Sequence, residues 1–226
     1  IALIKTEERL SRNLQRPELE GVVQDNVMKM ASAHIGRDTL LIIDPSDITK
    51  KYAKKMEYLA TVRDGSEHEL GNGYWTLHIA GTELDSNKIT PIYQRLWSCE
   101  APGFVSENEE ILRGVDAVMK HVGNKGVYLY DRGGDRINLF GPLLDRYARF
   151  LVRLVGNRNL VHNKKTMLAK DIAHTCPCPF RKTIVKLEGT REVTYELRFG
   201  HRKVYLPERP EPLYLLVIHG FGVEPL

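Results

Sequence analysis

The chain has 226 residues, 42% hydrophobic and 27% charged, with a formal net charge of +4, the balance of one large globular domain or of one domain with a substantial insertion. Three cysteines are too few, and odd in number, for a disulfide framework, and no apolar run approaches the ~20 residues that span a bilayer. The modest positive charge permits an anionic partner without requiring one.

Residues 1–36 read as helical, because Leu10, Leu14, Val22, Val23, Val27 and Met30 recur at intervals of three, four and their sums. Pro17 and Gly21 split this run into two helices. Charges at Lys5, Glu7, Glu8 and Arg9 occupy the place of a signal peptide's apolar stretch, so a cytoplasmic location is expected. Gly36-Arg-Asp then leads into an apolar strand, Thr39 to Ile43, that ends on Asp44. Pro45-Ser-Asp-Ile-Thr-Lys-Lys-Tyr reads as a surface loop. Tyr74 to Gly81 and Ile89 to Trp97 read as two strands joined by a polar turn at Asp85-Ser-Asn-Lys.

Ser106 with Glu109 three residues on makes a capping box. Ile111, Leu112, Val115, Val118, Met119 and Val122 form the apolar face of the helix that follows, and Gly123 ends it. The strand Val127 to Tyr130 runs into a second aspartate, Asp131. A helix is expected over Ile137 to Tyr147 and a strand over Phe150 to Val155. From 161 the character changes. His162-Asn-Lys-Lys is basic, and Arg181 to Leu187, Glu192 to Arg198 and Arg202 to Leu206 alternate as short strands between turns at Gly189 and Gly200-His. Pro207-Glu-Arg-Pro-Glu-Pro is a stiff linker. Leu213 to Ile218 reads as a strand returning to the core, followed by a turn at Gly220-Phe-Gly.

Three antiparallel strands followed by parallel ones with crossover helices give an α/β class, an α+β mixed sheet. This is the element order of a ribonuclease H-like core with an antiparallel β insertion. The boundaries are a helical segment 1–36, the core 37–160, a β-rich insertion 161–210 and a return strand 211–226. The chain starts on Ile1 and stops soon after an apolar strand, the pattern expected of a fragment.

Two apolar strands ending on aspartates, Asp44 and Asp131, are adjacent in such a sheet. Two carboxylates on neighbouring strands are what a divalent-metal site for phosphodiester chemistry needs. Magnesium, or manganese, takes hard oxygen ligands and keeps several waters, so two or three protein carboxylates suffice. The plainer reading is that each aspartate only caps the turn or helix that follows it.

Leu-Leu-Ile-Ile-Asp-Pro-Ser-Asp (40–47), Gly-Tyr-Trp-Thr-Leu-His (73–78), Ile-Tyr-Gln-Arg-Leu-Trp (92–97), Tyr-Asp-Arg-Gly-Gly-Asp (130–135) and Arg-Phe-Leu-Val-Arg (149–153) stand in the order seen in one family. The chain resembles a DDE transposase of the bacterial cut-and-paste insertion sequences. The resemblance implies metal-dependent hydrolysis and strand transfer on double-stranded DNA at transposon ends, by a homodimer on paired ends in association with the nucleoid. It implies Asp44 and Asp131 as catalytic metal ligands, with Asp135 a helix cap and Asp47 a turn residue. Arg153, Arg158, Lys164 and Lys165, together with Lys50 and Lys51, are then candidates for phosphate-backbone contacts. The bland alternative is a solvated loop surface.

The family's third carboxylate is a helical glutamate in a Tyr-x2-Arg-x3-Glu setting. Here Tyr195-Glu-Leu-Arg198 begins that pattern but has Arg202 in the glutamate's place, and Glu224 comes too early for the helix. The chain alone is therefore expected to be inactive. A nuclease of the same fold and a non-catalytic DNA-binding relic remain open readings. His174-Thr-Cys-Pro-Cys178 lacks zinc-finger spacing, Cys99 reads as inert, and Trp75 and Trp97 read as core.

Overall fold

Pro17 separates two helices, α1 (Ala2–Leu14) and α2 (Leu19–Ser32). The computed structural model describes residues 2–63, 65, 69–207 and 209–220. It divides into two compact units: residues up to Tyr130 with Asn138–Leu151, and Asp131–Ile137 with the residues from Val152 onward.

In the first unit the helices are followed by β1 (Leu40–Thr49), β2 (Ala60–Arg63), β3 (Leu70–Thr82), β4 (Ile89–Trp97), α3 (Glu107–Val122), β5 (Val127–Tyr130), α4 (Ile137–Asp145) and β6 (Phe150–Val152). The strands form a mixed six-stranded sheet in the order β2-β3-β1-β5-β6, with β4 also paired to β3. β1 runs antiparallel to β3 and parallel to β5. Leu41, Ile43, Leu77, Ile79 and Ile92 of the sheet and Val115 and Val118 of α3 are buried. Ser106 caps α3 by accepting the Glu109 N–H at 3.1 Å, and Gly123 ends it with φ at 63°. Gly114 lets α3 lie close to the sheet, since a Cβ there would be 2.9 Å from Leu77 Cδ2 and 3.0 Å from Tyr93 Cε1.

The helix α2 docks differently from the sequence expectation. Leu10, Leu14, Val22, Val23, Val27 and Met30 are exposed, whereas Met28, Ala31 and the following Ile35 are buried. The reason is a polar anchor. The β3–β4 register slips near Ile79 and Ala80, leaving Ile92 as an extra residue. Gln24 serves this bulge: its Nε2 donates to the Ile92 carbonyl at 3.0 Å and its Oε1 accepts the Gln94 N–H at 3.1 Å. Gln24, Met28 and Ala31 share a helix face, and that face is held on the sheet. The described residues up to Gly36 fall within the first unit.

β1 also corrects an expectation, because it does not end at Asp44 but continues through Pro45 to Thr49. β5 pairs only with Leu40–Ile43, so from Asp44 onward that side of β1 is an edge, where proline is tolerated. The expected surface loop 45–49 is strand.

The second unit holds β7 (Asn159–His162), β8 (Lys165–Leu168), α5 (Ala169–His174), β9 (Phe180–Glu188), β10 (Arg191–Tyr205) and β11 (Pro212–His219). They form an antiparallel sheet in the order β11-β10-β7-β8, with β9 paired to β10. Ile172 and Ala173 of α5 are buried, as are Val204, Leu215 and Val217 of the sheet.

Gly200 is not a turn. β10 runs straight through it, and the glycine is there because a Cβ would lie 2.1 Å from the Pro177 carbonyl oxygen. The strand expected to return to the core is β11, and it pairs with β10 instead. The linker from Leu206 to Glu211 joins the register partners Tyr205 and Pro212, closing an antiparallel hairpin. Glu224, and Phe221 and Gly222 of the expected turn, lie outside the described residues. Among the described residues no helix is long and apolar enough to cross a membrane.

Candidate catalytic carboxylates

Ile43 and Tyr130 are the last partners in the parallel β1–β5 register. The residue after Ile43 on β1 is Asp44, the residue after Tyr130, just past the end of β5, is Asp131, and both are exposed. Leu41 and Ile43 point into the core, so alternation turns Asp44 to the opposite face. Its partner across β3 is His78, which in turn faces Gln94 of β4. Directly opposed residues share a sheet face, so Asp44, His78 and Gln94 form one polar row. His78 was not singled out from the sequence. No local spacing marks it, and only the β1–β3 register brings it opposite Asp44.

Asp131 caps the short 3-10 turn Arg132–Gly134, its Oδ1 accepting the Gly133 N–H at 2.8 Å. That bond fixes the carboxylate's orientation at the strand end. Asp135 closes the 3-10 turn through its N–H, which donates to the Arg132 carbonyl at 3.2 Å, while its side chain is engaged elsewhere. Its Oδ2 accepts the Val155 N–H at 2.8 Å and its Oδ1 accepts the Arg158 Nε–H. The Asp135 side chain is 2% exposed and that of Arg158 is 14% exposed. Arg158, expected on DNA, is thus committed to an internal ion pair.

The other basic candidates are exposed. Lys50 and Lys51 follow β1 in the first unit, where the Lys50 N–H bonds the Asn72 carbonyl at 2.7 Å. Arg153, Lys164 and Lys165 belong to the second unit. Lys164 stands on the β7–β8 turn. The two turn residues, Asn163 and Lys164, have φ of 48° and 63°, as a two-residue type I′ hairpin requires.

Two carboxylates supply hard oxygen ligands of the kind magnesium or manganese takes, and His78 lies opposite one of them. Among the described residues no three or more His, Cys, Asp or Glu side chains converge. Tyr195, Arg198 and Arg202 all lie on β10, so the third-carboxylate pattern has no helix to stand on. Cys176 is buried, and desolvation pushes the Cys178 thiol up from its ordinary range. Trp75 and Trp97 are half-buried and stack at 5.8 Å, with Phe104 stacked on Trp97 at 5.3 Å.

No family model and no curated protein matches the chain. Among the solved structures similar to it is a cryo-EM structure of piggyBac transposase in a synaptic complex with hairpin DNA. Sequence identity is 13% and the TM-score is 0.37, with 78% of this chain and 32% of that chain covered. The chain thus spans about a third of the length of that structure.

Proposed function

We propose that the chain is the catalytic-core segment of a metal-dependent DNA transposase, with a ribonuclease H-like sheet in its first unit. The observation that carries this reading is the register: Ile43 and Tyr130 are partners, and an aspartate follows each of them. The placement of antiparallel β3 on one side of β1 and parallel β5 on the other supports the same sheet assignment.

Asp44 and Asp131 would hold magnesium or manganese. When bound, the metal supplies Lewis-acid stabilisation of the phosphodiester and lowers the pKa of a bound water. The chain's own part is to hold the two carboxylates. The β1–β3 ladder fixes Asp44, and the Gly133 N–H fixes Asp131. Lys50, Lys51, Arg153, Lys164 and Lys165 would neutralise phosphates of duplex DNA, with a salt-dependent and sequence-independent contribution. Two copies acting on paired transposon ends, in the nucleoid, complete the reading. A second reading, a DNA-binding protein without catalysis, is favoured by one observation: no third carboxylate joins the pair among the described residues.

Manganese titration followed by electron paramagnetic resonance separates the two. Under the catalytic reading the wild-type chain binds Mn²⁺, and Asp44→Asn and Asp131→Asn each lose that binding while keeping the wild-type circular dichroism spectrum. Equal Mn²⁺ binding by all three proteins, or none by the wild type, moves the assignment to the non-catalytic protein.

A further inference from the structure

Where β10 pairs with β11, the second sheet has one face buried and one open. Phe199 is the register partner of both Phe180 on β9 and Ile218 on β11. His201 is opposite Leu216, and Lys203 is opposite Tyr214. These side chains share one face, away from the buried Val204, Leu215 and Val217. Phe180 is 51% exposed, Tyr214 62%, Leu216 50% and Ile218 48%. So much apolar and aromatic surface on adjoining strands marks a place where something binds.

The face is ordered by charge as well as by polarity. Lys182, Lys186, His201 and Lys203 stand on it by register. Glu192 and Glu196 of β10 alternate to the other side, where Glu196 pairs with Arg181 at 3.6 Å. No aspartate or glutamate of β9–β11 whose side chain is described shares the open face. Its rings are already arranged in pairs. Phe180 and Phe199 stack at 5.5 Å, and the His201 and Tyr214 rings meet edge to face at 5.7 Å. Lys203 Nζ lies 5.7 Å from the centre of the Tyr205 ring. At one end the face opens into a groove of about 480 Å³ whose lining includes His162, Lys164, Lys203 and Tyr214.

We propose that this face binds an unpaired stretch of nucleic acid, its bases stacked on Phe180, Phe199 and Tyr214 and its phosphates on Lys182, Lys186 and Lys203. Among the described side chains the charged groups on the face are basic, so the partner should be anionic. It must also offer flat apolar rings to an exposed aromatic platform. A single strand does both, whereas a duplex hides its base faces and would leave the phenylalanines against water. The site shares no residue with the proposed metal carboxylates, so the two assignments stand or fall separately.

Fluorescence anisotropy on the full chain tests it, with a labelled oligo(dT) of about 20 nucleotides and a duplex of equal length as probes. The double variant Phe199→Ala/Tyr214→Ala should weaken oligo(dT) binding by about tenfold or more and change duplex binding by less than about twofold. Lys182→Ala/Lys203→Ala should weaken both and lower the salt dependence for the single strand by about 1.4 in log–log slope. Circular dichroism and thermal melts establish that the variants fold. If a poorly folded double variant spoils the comparison, Phe180→Leu provides the same readout, removing the stacking ring but keeping an apolar side chain. Wild-type affinity for oligo(dT) in the folded aromatic variants overturns the proposal. So does a wild-type dimer that these substitutions dissociate with oligo(dT) binding unchanged, which would assign the face to a second copy of the chain.

Discussion

Asp135 and Arg158 form a buried ion pair, with the carboxylate 2% and the guanidinium 14% exposed. The same carboxylate takes the Val155 N–H, so it ties the turn after β5 to the chain leaving β6. Four residues earlier, Asp131 is exposed and its carboxylate accepts the Gly133 N–H. The two aspartates of Asp-Arg-x-x-Asp therefore do different jobs. Asp135→Ala removes an ion-pair partner of Arg158 and the acceptor of the Val155 N–H, and should cost about 3 kcal/mol in urea unfolding. Asp131→Asn should cost about 1 kcal/mol or less. Equal losses from the two variants would show that Asp135 is not the structural member of the pair.

The second prediction concerns two glycines in opposite surroundings. At Gly200 a Cβ would sit 2.1 Å from the Pro177 carbonyl oxygen and 3.2 Å from Cys178 Cα, both backbone atoms. Gly200→Ala must move a strand, and should lower stability by about 3 kcal/mol or more. At Gly21, inside α2, a Cβ would meet nothing within 4 Å. Gly21→Ala removes backbone freedom from the unfolded chain and should raise stability by about 0.5–1 kcal/mol. Thermal melts of both variants check the contrast, and a neutral Gly200→Ala would mean the β10–Pro177 approach is looser than it stands.

Features with local signals were legible in the sequence. Ser106 and Glu109 mark the start of α3 and Gly123 its end, because capping needs only residues within one turn. The bounds of β4 and β5 follow from apolar runs flanked by turn residues. The aspartates were legible for the same reason, each standing beside an apolar run. What was not legible depends on partners distant in sequence. Gln24 chooses the buried face of α2 by answering a bulge nearly seventy positions away. Gly200 looks like a turn glycine until the Pro177 backbone is placed beside it. Arg158 looks like a free cation until Asp135 folds onto it. His78 acquires significance only through the β1–β3 register.

Tyr128 supplies the third prediction. Its hydroxyl is buried with no hydrogen-bond partner among the described residues. Burial, with a smaller push from the Asp116 carboxylate, raises its pKa well above the ordinary tyrosine value. Below about pH 10 folded and unfolded chains both keep the phenolic proton, so Tyr128 adds no pH dependence. Above that value the unfolded chain ionises while the folded one does not, which favours unfolding as the pH rises. Tyr128→Phe removes both the unpaired hydroxyl and the ionisation. At pH 7 the variant should be as stable as the wild type, or more stable by about 1 kcal/mol. Between about pH 9 and 11 its stability should fall less steeply than that of the wild type. Urea unfolding across that range measures both effects, and a variant that is weaker at pH 7 with an unchanged alkaline slope would mean that the hydroxyl is hydrogen-bonded in solution.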